Sequence, residues 1–459
     1  MYALLRALAG VALRWYYRDI QVTGIERVPA HRPLLLVVNH PNALVDALLV
    51  GWVIPRRVMI TAKSTLFTNP VASWLLLRLG VVPLYRAADV SAGNAAAHAA
   101  HNHNTFAAVH SALAHDKCVL IFPEGKTHDE ASIAPLKTGA ARMALQAVAG
   151  KAPDIAVLPI GLVFERKEAP RTRVLVQIGK PIVMSQWRAQ TTSGVSEVDA
   201  LTREIDIRIR AVTLNYASAD DAARAVRLAS VLAALLDGVP NIGVVDRQLG
   251  AETAIARRIE DLSTHLLSAD DSLRAHADHL AHRLEALQQI ASDHGVLIED
   301  IGISVARDAA LRFAVREGWL LMIGGPIAIW GRINHWLPFR AARVIAMRSI
   351  ESDADPAMRT LVAGSCFVLV AYLVQTAFVG TLWGPLAACA YLVSLPVAAD
   401  VNFALSDRLR RAHSRAATYL CFRRNPMLQH RLHREMDALR EDVVALDRAL
   451  TDPTVFEIR

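Results

Sequence analysis

The sequence predicts an α/β domain with a mixed sheet flanked by helices, followed by a helical region and a C-terminal transmembrane hairpin. Three observations carry this. Between residues 30 and about 180, strand-like apolar runs alternate with helix-like ones, the pattern of layered α/β packing. From 187 to about 315 no convincing strand occurs. Leu361 through Ala399 is then thirty-nine residues without a charged side chain or a histidine.

Bulk properties agree. A chain of 459 residues holds two or three domains. Hydrophobic residues make up 53% and charged ones 20%, and the mean hydropathy of +0.28 is high for a soluble enzyme. The excess is unevenly spread, which points to membrane contact. A net charge of +7 favours anionic partners. The apolar excess selects phospholipid, and the scattered basic residues argue against nucleic acid. Cys118, Cys366, Cys389 and Cys421 form no C-x-x-C and read as reduced thiols.

Residues 1–20 read as an amphipathic helix, too short and too basic to span a bilayer, lying in the head-group plane. Packing on the α/β domain is its other reading. Arg6 interrupts the apolar stretch and no cleavage site follows, which argues against a signal peptide. Residues 21–185 form the α/β domain, with strands at 34–38, 57–62, 81–85, 118–122, 155–163 and 174–178 and helices at 45–54, 71–79, 94–115 and 139–149.

Residues 186–315 are helical. Ser196 and Asp199 have the spacing of an N-terminal capping pair, and Leu273, Ala277, Leu280, Leu284 and Leu287 keep one apolar face. His276, His279 and His282 share that helix, but successive i+3 steps drift around it and no cysteine accompanies them. A solvated polar face is the better reading. The region has three open readings: a stalk, a regulatory surface or a homodimer interface.

Residues 316–404 form the membrane region. Gly318–Gly331 reads as a re-entrant or short segment, because it is brief and carries Gly324-Gly325-Pro326. One helix of thirty-nine residues would be about 58 Å long, roughly twice the hydrocarbon core. The chain must break, and Trp383-Gly384-Pro385 is the place, giving spans 361–380 and 382–399. Arginines 340, 343, 348 and 359 precede the pair and 408, 410 and 411 follow it. Both ends therefore face the cytoplasm, which places the α/β domain on the cytoplasmic side of the cytoplasmic membrane. A basic helix, 405–459, closes the chain.

The chemistry gathers at strand ends. The run Leu34 to Val38 delivers His40 to a C-terminal edge, where open α/β sheets place ligands. Asp46 lies one short step onward, in outline a general-base dyad: a carboxylate fixes the imidazole tautomer and leaves one nitrogen to take a proton. A turn histidine beside a helix-capping aspartate is the plain alternative. Gly80 to Arg86 puts an arginine at a strand end, Phe122-Pro123-Glu124-Gly125-Lys126-Thr127-His128 follows another strand, and Val157-Leu158-Pro159-Ile160 is a strand holding a proline. Arg86, Lys126 and Lys137 could converge on one phosphate, with glycines admitting backbone N–H groups.

In this order and spacing, the four stretches resemble the four motifs of the membrane-bound glycerolipid acyltransferases, the glycerol-3-phosphate and 1-acylglycerol-3-phosphate acyltransferase family. The resemblance covers about residues 20–180. Five residues separate His40 from Asp46 where the common form has four. That H-x-N-x-x-x-D form, with Asn42, and the stretch Phe122 to Asp129 are similar to the fungal-type glycerol-3-phosphate/dihydroxyacetone-phosphate branch. The longer spacing leaves the ring two partners, Asp46 and Asn42.

The resemblance implies an O-acyltransferase of phospholipid biosynthesis. His40 and Asp46 would be catalytic, and Asn42, Arg86, Glu124, Gly125, Lys126 and Lys137 would bind substrate. Acyl-CoA or acyl carrier protein would be co-substrate, with a glycerophosphate or lysophospholipid acceptor, membrane lipid as surroundings and no metal or other cofactor. Two alternatives share the fold: a lysophospholipid remodelling acyltransferase or transacylase, and an inert membrane-tethered binding protein. The presence of His40 and Arg86 speaks against the inert reading.

Overall fold

Five consecutive apolar residues, Leu34–Val38, make strand β2, and all five side chains are fully buried. Alternation divides them between two cores: Leu35 and Val37 face one helical layer, Leu34, Leu36 and Val38 the other. A strand covered on both faces has no polar side, which is why the run is continuously apolar.

The structure, a computed structural model, describes residues 2–68, 70, 73–74, 81–84, 95–149, 154–190, 196–236, 249–267, 271–348 and 356–451. It has two compact units, Met1–Ser218 with Ser349–Val362, and Ala219–Arg348 with Ala363–Arg459.

In the first unit, helix α1 (Tyr2–Tyr16) and β1 (Asp19–Thr23) precede β2, and helix α2 (Ala43–Val53) follows it. Then come β3 (Val58–Lys63), β4 (Val82–Leu84), β5 (Cys118–Ile121), β6 (Ala156–Phe164), β7 (Arg173–Ile178) and β8 (Ile182–Val183). Helices Ala95–Ala114 and Gly139–Ala149 lie between strands, and Glu197–Arg210 follows them. Among the described residues the sheet order is β1-β7-β6-β2-β5-β3-β4, with β8 on β6. β6 pairs antiparallel with β7 and β8, and the other pairs are parallel, so the sheet is mixed.

Pro159 has no N–H, yet it sits in the middle of β6. It is tolerated because β7 pairs from Ile160 onward and β8 only as far as Val157, leaving no partner that needs its donor. Its carbonyl still accepts from Gly179 N–H at 2.9 Å.

Several expectations need correction. β1 and β8 were not anticipated. α1 packs on the domain: Leu13 and Tyr16 join Val45 and Leu49 of α2 in one core. Arg6 does not point at head groups; its guanidinium donates to the carbonyls of Trp52 and Ile54 at 2.8 Å, capping α2. Leu4 and Leu8 stay exposed. The expected helix 71–79 lies almost wholly outside the described residues. Ser196 occupies an N-cap position, but its side chain makes no capping bond. That helix buries Leu201, Ile205 and Ile209 against the sheet, so the first unit runs past residue 185.

In the second unit, Leu280, Leu284 and Leu287 of helix Asp271–Asp293 pack with Val231, Leu235, Phe422 and Leu432. The glycines and proline at 324–326 do not make a separate segment, since one helix runs from Arg307 to Arg348. Beyond it, Pro356–Arg424 is helical with one interruption, Gly384 at φ 85° and ψ 174°. The expected break is therefore found. The expected start of a new helix at 405 is not, because the chain stays helical to Arg424 and restarts at Pro426. By length and composition, Ala357–Arg424 can cross a membrane, with a mean hydropathy of 2.0 in its most apolar window.

Candidate active site

Two neighbouring parallel strands end together, Val37 of β2 opposite Ile121 of β5. The residues that follow them, His40 and Glu124, therefore leave the sheet by one edge. Asn39 fixes that exit. Its amide donates to Leu162 O at 3.0 Å and its oxygen accepts from Leu162 N–H at 2.7 Å, extending the β6 pairing by a side chain.

His40 is held from three directions. Its backbone N–H donates to Glu124 Oε1 at 2.8 Å. Its ring stacks on Phe122 with centroids 3.7 Å apart and planes 14° from parallel. Its Nδ1 lies 2.9 Å from Asp46 Oδ2. Asp46 is fully buried, and the same oxygen accepts from Asn42 N–H at 2.7 Å. A buried carboxylate persists when donors surround it, and an ionised one only accepts, so Nδ1 is the donor of this contact.

The extra residue between His40 and Asp46 is absorbed by the backbone. Ala43 takes φ 45°, a left-handed conformation, at the first turn of α2. Asp46 thereby reaches the ring, and Asn42 does not serve in its place. The Asn42 side chain instead donates to Tyr17 Oη and Lys167 O, both at 3.2 Å. Burial, helped by Tyr16 and Asp46, pushes the Tyr17 hydroxyl far above its usual range, so it stays neutral.

Glu124 is buried and committed on both oxygens. Oε1 holds the His40 backbone, while Oε2 accepts from Ala134 N–H at 2.9 Å and pairs with His128 Nε2. It braces the His40 turn. Gly125 follows at φ 73°, and the Lys137 stem lies over it, 3.5 Å from where a Cβ would stand. Lys137 itself is exposed. Lys126 is exposed too, and pairs with Glu130 at 3.2 Å. Arg86 lies outside the described residues. His40, Asp46, Asn42, Glu124 and Gly125 are thus brought together, while Lys126 turns to the surface.

Lys167 was not anticipated. From the β6–β7 turn its Nζ donates to Pro41 O at 2.9 Å, and it forms an ion pair with Asp129 of the Glu124 loop. It is a cation one residue from His40. No local motif marks it, whereas His128 and Asp129 lie within the motif that follows β5. On the helix Asp271–Asp293, His276, His279 and His282 are all exposed. Among the described residues, no three His, Cys, Asp or Glu side chains gather as metal ligands do.

Residues 19–163 match the profile of a family described as Acyltransferase. That stretch is an acyltransferase domain. Glycerol-3-phosphate O-acyltransferase 2 of Saccharomyces cerevisiae is 43% identical over 84 residues, 18% of this chain and 11% of the yeast protein. Glycerol-3-phosphate O-acyltransferase 1 of the same yeast is 43% identical over 72 residues, 15% of this chain and 9% of its own length. The chain thus matches about a tenth of these relatives, and the matches agree with the fungal-type form of the motifs. The crystal structure of the 1-acyl-sn-glycerophosphate (LPA) acyltransferase PlsC from Thermotoga maritima covers 45% of this chain and 78% of its own, at 19% identity and a TM-score of 0.34. The acyltransferase domain contains the whole His40–Asp46–Glu124 arrangement.

Proposed function

We propose that the acyltransferase domain moves a fatty acyl group from an acyl thioester to a hydroxyl of glycerol-3-phosphate or 1-acylglycerol-3-phosphate. The 2.9 Å contact between His40 Nδ1 and Asp46 Oδ2 carries this reading. Nε2 takes the proton of the acceptor hydroxyl as its oxygen attacks the thioester carbon. The C–S bond then breaks, and the departing thiolate of coenzyme A or acyl carrier protein takes that proton back. General-base help of this kind is worth about 10²–10⁴ in rate, and holding both substrates together supplies much of the remainder.

Asp46 sets the tautomer, and Glu124 with Phe122 sets the ring's position. The acceptor phosphate is bound by cations around the turn: Arg86, Lys137 and Lys167, whose ion pair with Asp129 gives way to the phosphate. The protein works at a membrane, on its cytoplasmic face, because the acyl chain and the product are apolar and an interfacial site spares both a passage through water.

The deciding experiment incubates membranes holding the full chain with labelled acyl-CoA and, separately, glycerol-3-phosphate, lysophosphatidate and lysophosphatidylcholine. Transfer to one of the first two, abolished by His40→Ala, is the expected result. Transfer to lysophosphatidylcholine alone would reassign the acceptor, and undiminished transfer by H40A would remove the dyad from the reaction.

A further inference from the structure

The backbone of His40 is held by one carboxylate. Glu124 Oε1 accepts from His40 N–H at 2.8 Å. The last torsion of a glutamate side chain is broad and roughly two-fold. A bond to one oxygen alone would let the carboxylate turn away, so Oε1 stays at the histidine only if Oε2 is held as well.

Two donors hold Oε2, and they come from different parts of the chain. The first is the ring of His128, a side chain only 12% exposed, whose Nε2 pairs with Oε2. Its other nitrogen is occupied too, since Nδ1 accepts from Glu130 N–H at 3.3 Å. With both nitrogens engaged, His128 is not a second base. What it does is aim Glu124. The second donor is Ala134 N–H, at 2.9 Å.

Ala134 lies in the loop between β5 and helix Gly139–Ala149, whose neck is closed by Lys137 N–H donating to Pro123 O at 2.8 Å. A hook formed by residues 210–216 grips this loop at the three residues before Ala134. Tyr216 N–H donates to Ala131 O at 3.0 Å. The Arg210 guanidinium donates to Ser132 Oγ at 3.2 Å. Asn215 Oδ1 accepts from Ile133 N–H, also at 3.2 Å. Asn215 is itself fixed, because its Nδ2 donates to Arg210 O and Thr213 Oγ1 at 3.3 and 3.2 Å. Thr213 is buried and bonds back to Ile209 O at 3.0 Å. The hook lies beyond residue 163, where the family match ends.

We infer that His128 and Asn215 are positioning residues for the acyl-transfer step, acting on His40 through Glu124. Loss of the first removes a donor from a buried carboxylate, and loss of the second frees the strand of chain that presents the other donor. Glu124 then loosens its hold on His40 N–H, and the imidazole shifts relative to the acceptor hydroxyl. A misplacement of about 1 Å is worth about 10² in rate. Substrate contacts are untouched, so kcat falls while KM holds. This rests on the reading of His40 as general base.

The test uses the full chain in vesicles, with His128→Phe, Asn215→Ala and the double variant. Each single variant should lower kcat by about tenfold or more, with KM for donor and acceptor held within about twofold. The double variant should fall little further, because both losses pass through one carboxylate. His128→Gln, which keeps an N–H donor, should recover most of the rate. Hydrogen exchange reads the same contact without any chemistry. In both single variants the His40 amide should exchange about tenfold faster, while the amides of β2 hold. Val176→Ala, a core change in β7, controls for lost stability and should lower Tm without moving kcat or His40 exchange. A merely structural role would make His128→Phe and Asn215→Ala behave like that control, and multiplied losses in the double variant would show two separate actions; either overturns the inference. Retained transfer in His40→Ala would remove the base, and exchange at the His40 amide would still decide whether these two residues hold the turn.

Discussion

Two apolar stretches of this chain have nearly the same chemistry and opposite surroundings. β2, Leu34–Val38, has all five side chains fully buried. The turn around Gly384 offers Leu373 at 72% and Leu386 at 85% exposure. Hydrophobicity says that both leave water, but only the structure says what receives them. β2 is stabilised by two protein layers, whereas the side chains around Gly384 have no such cover among the described residues.

The sharpest break of that comparison is a charge in each place. Leu36→Asp should cost several kcal/mol, because an unpaired carboxylate would be buried in the core it shares with Leu34 and Val38, and thermal unfolding should find no folded first unit. Leu386→Asp should leave unfolding unchanged and weaken vesicle binding by about 2–3 kcal/mol, read by flotation. An L386D protein that binds vesicles as tightly as the wild type would erase the contrast.

His40→Ala belongs between these extremes. It should lower the acyl-transfer rate by about 10²–10⁴ and leave vesicle binding unchanged, with a drop in Tm because the buried Asp46 loses its partner and Phe122 its stacked ring. Lys167→Met should act more mildly. It is expected to raise KM for a phosphorylated acceptor about tenfold, near 1.4 kcal/mol, while KM for the acyl donor holds. An equal rise for both substrates would make Lys167 a scaffold residue only.

The smallest effect concerns pH. Burial alone would raise the Glu165 carboxyl, but hydrogen bonds and charge from Arg173, with Arg18 nearby, hold it below its usual range. A depressed folded value means stabilisation that is present above the ordinary value of 4.5 and is lost as pH falls through the lower one. Solvent screening keeps this under about 1 kcal/mol. Glu165→Gln should accordingly flatten the acid limb of stability, measured as Tm against pH.

What could be read in advance follows from how local each signal is. β2 was legible because an apolar run closed by Asn39 and Pro41 has few other uses. The break at Gly384 was legible because a helix of that length outgrows the bilayer. The fate of 318–331 was not. Gly324, Gly325 and Pro326 look like breakers, but in apolar surroundings a backbone keeps its hydrogen bonds by staying helical. β1 escaped notice because Asp19-Ile-Gln-Val-Thr is short and half exposed.

At the site, residue identity was legible and conformation was not. His40, Asp46 and Glu124 were recognisable in their motifs, but the reach of Asp46 depends on the left-handed Ala43, which no pattern of letters encodes. Lys167 is 126 residues from Pro41. Only the parallel and antiparallel neighbours of β6 bring it there.

Arg6 bears on what can be cut away. The family match starts at residue 19, yet this guanidinium sits on the carbonyl end of α2, whose opposite end supplies Asp46. A fragment trimmed to the matched boundaries would leave those carbonyls open and bare the Leu49 side of the helix. The first sixteen residues are therefore part of what keeps the carboxylate aimed, and excising the domain at its family limits should blunt the very group the excision sets out to study.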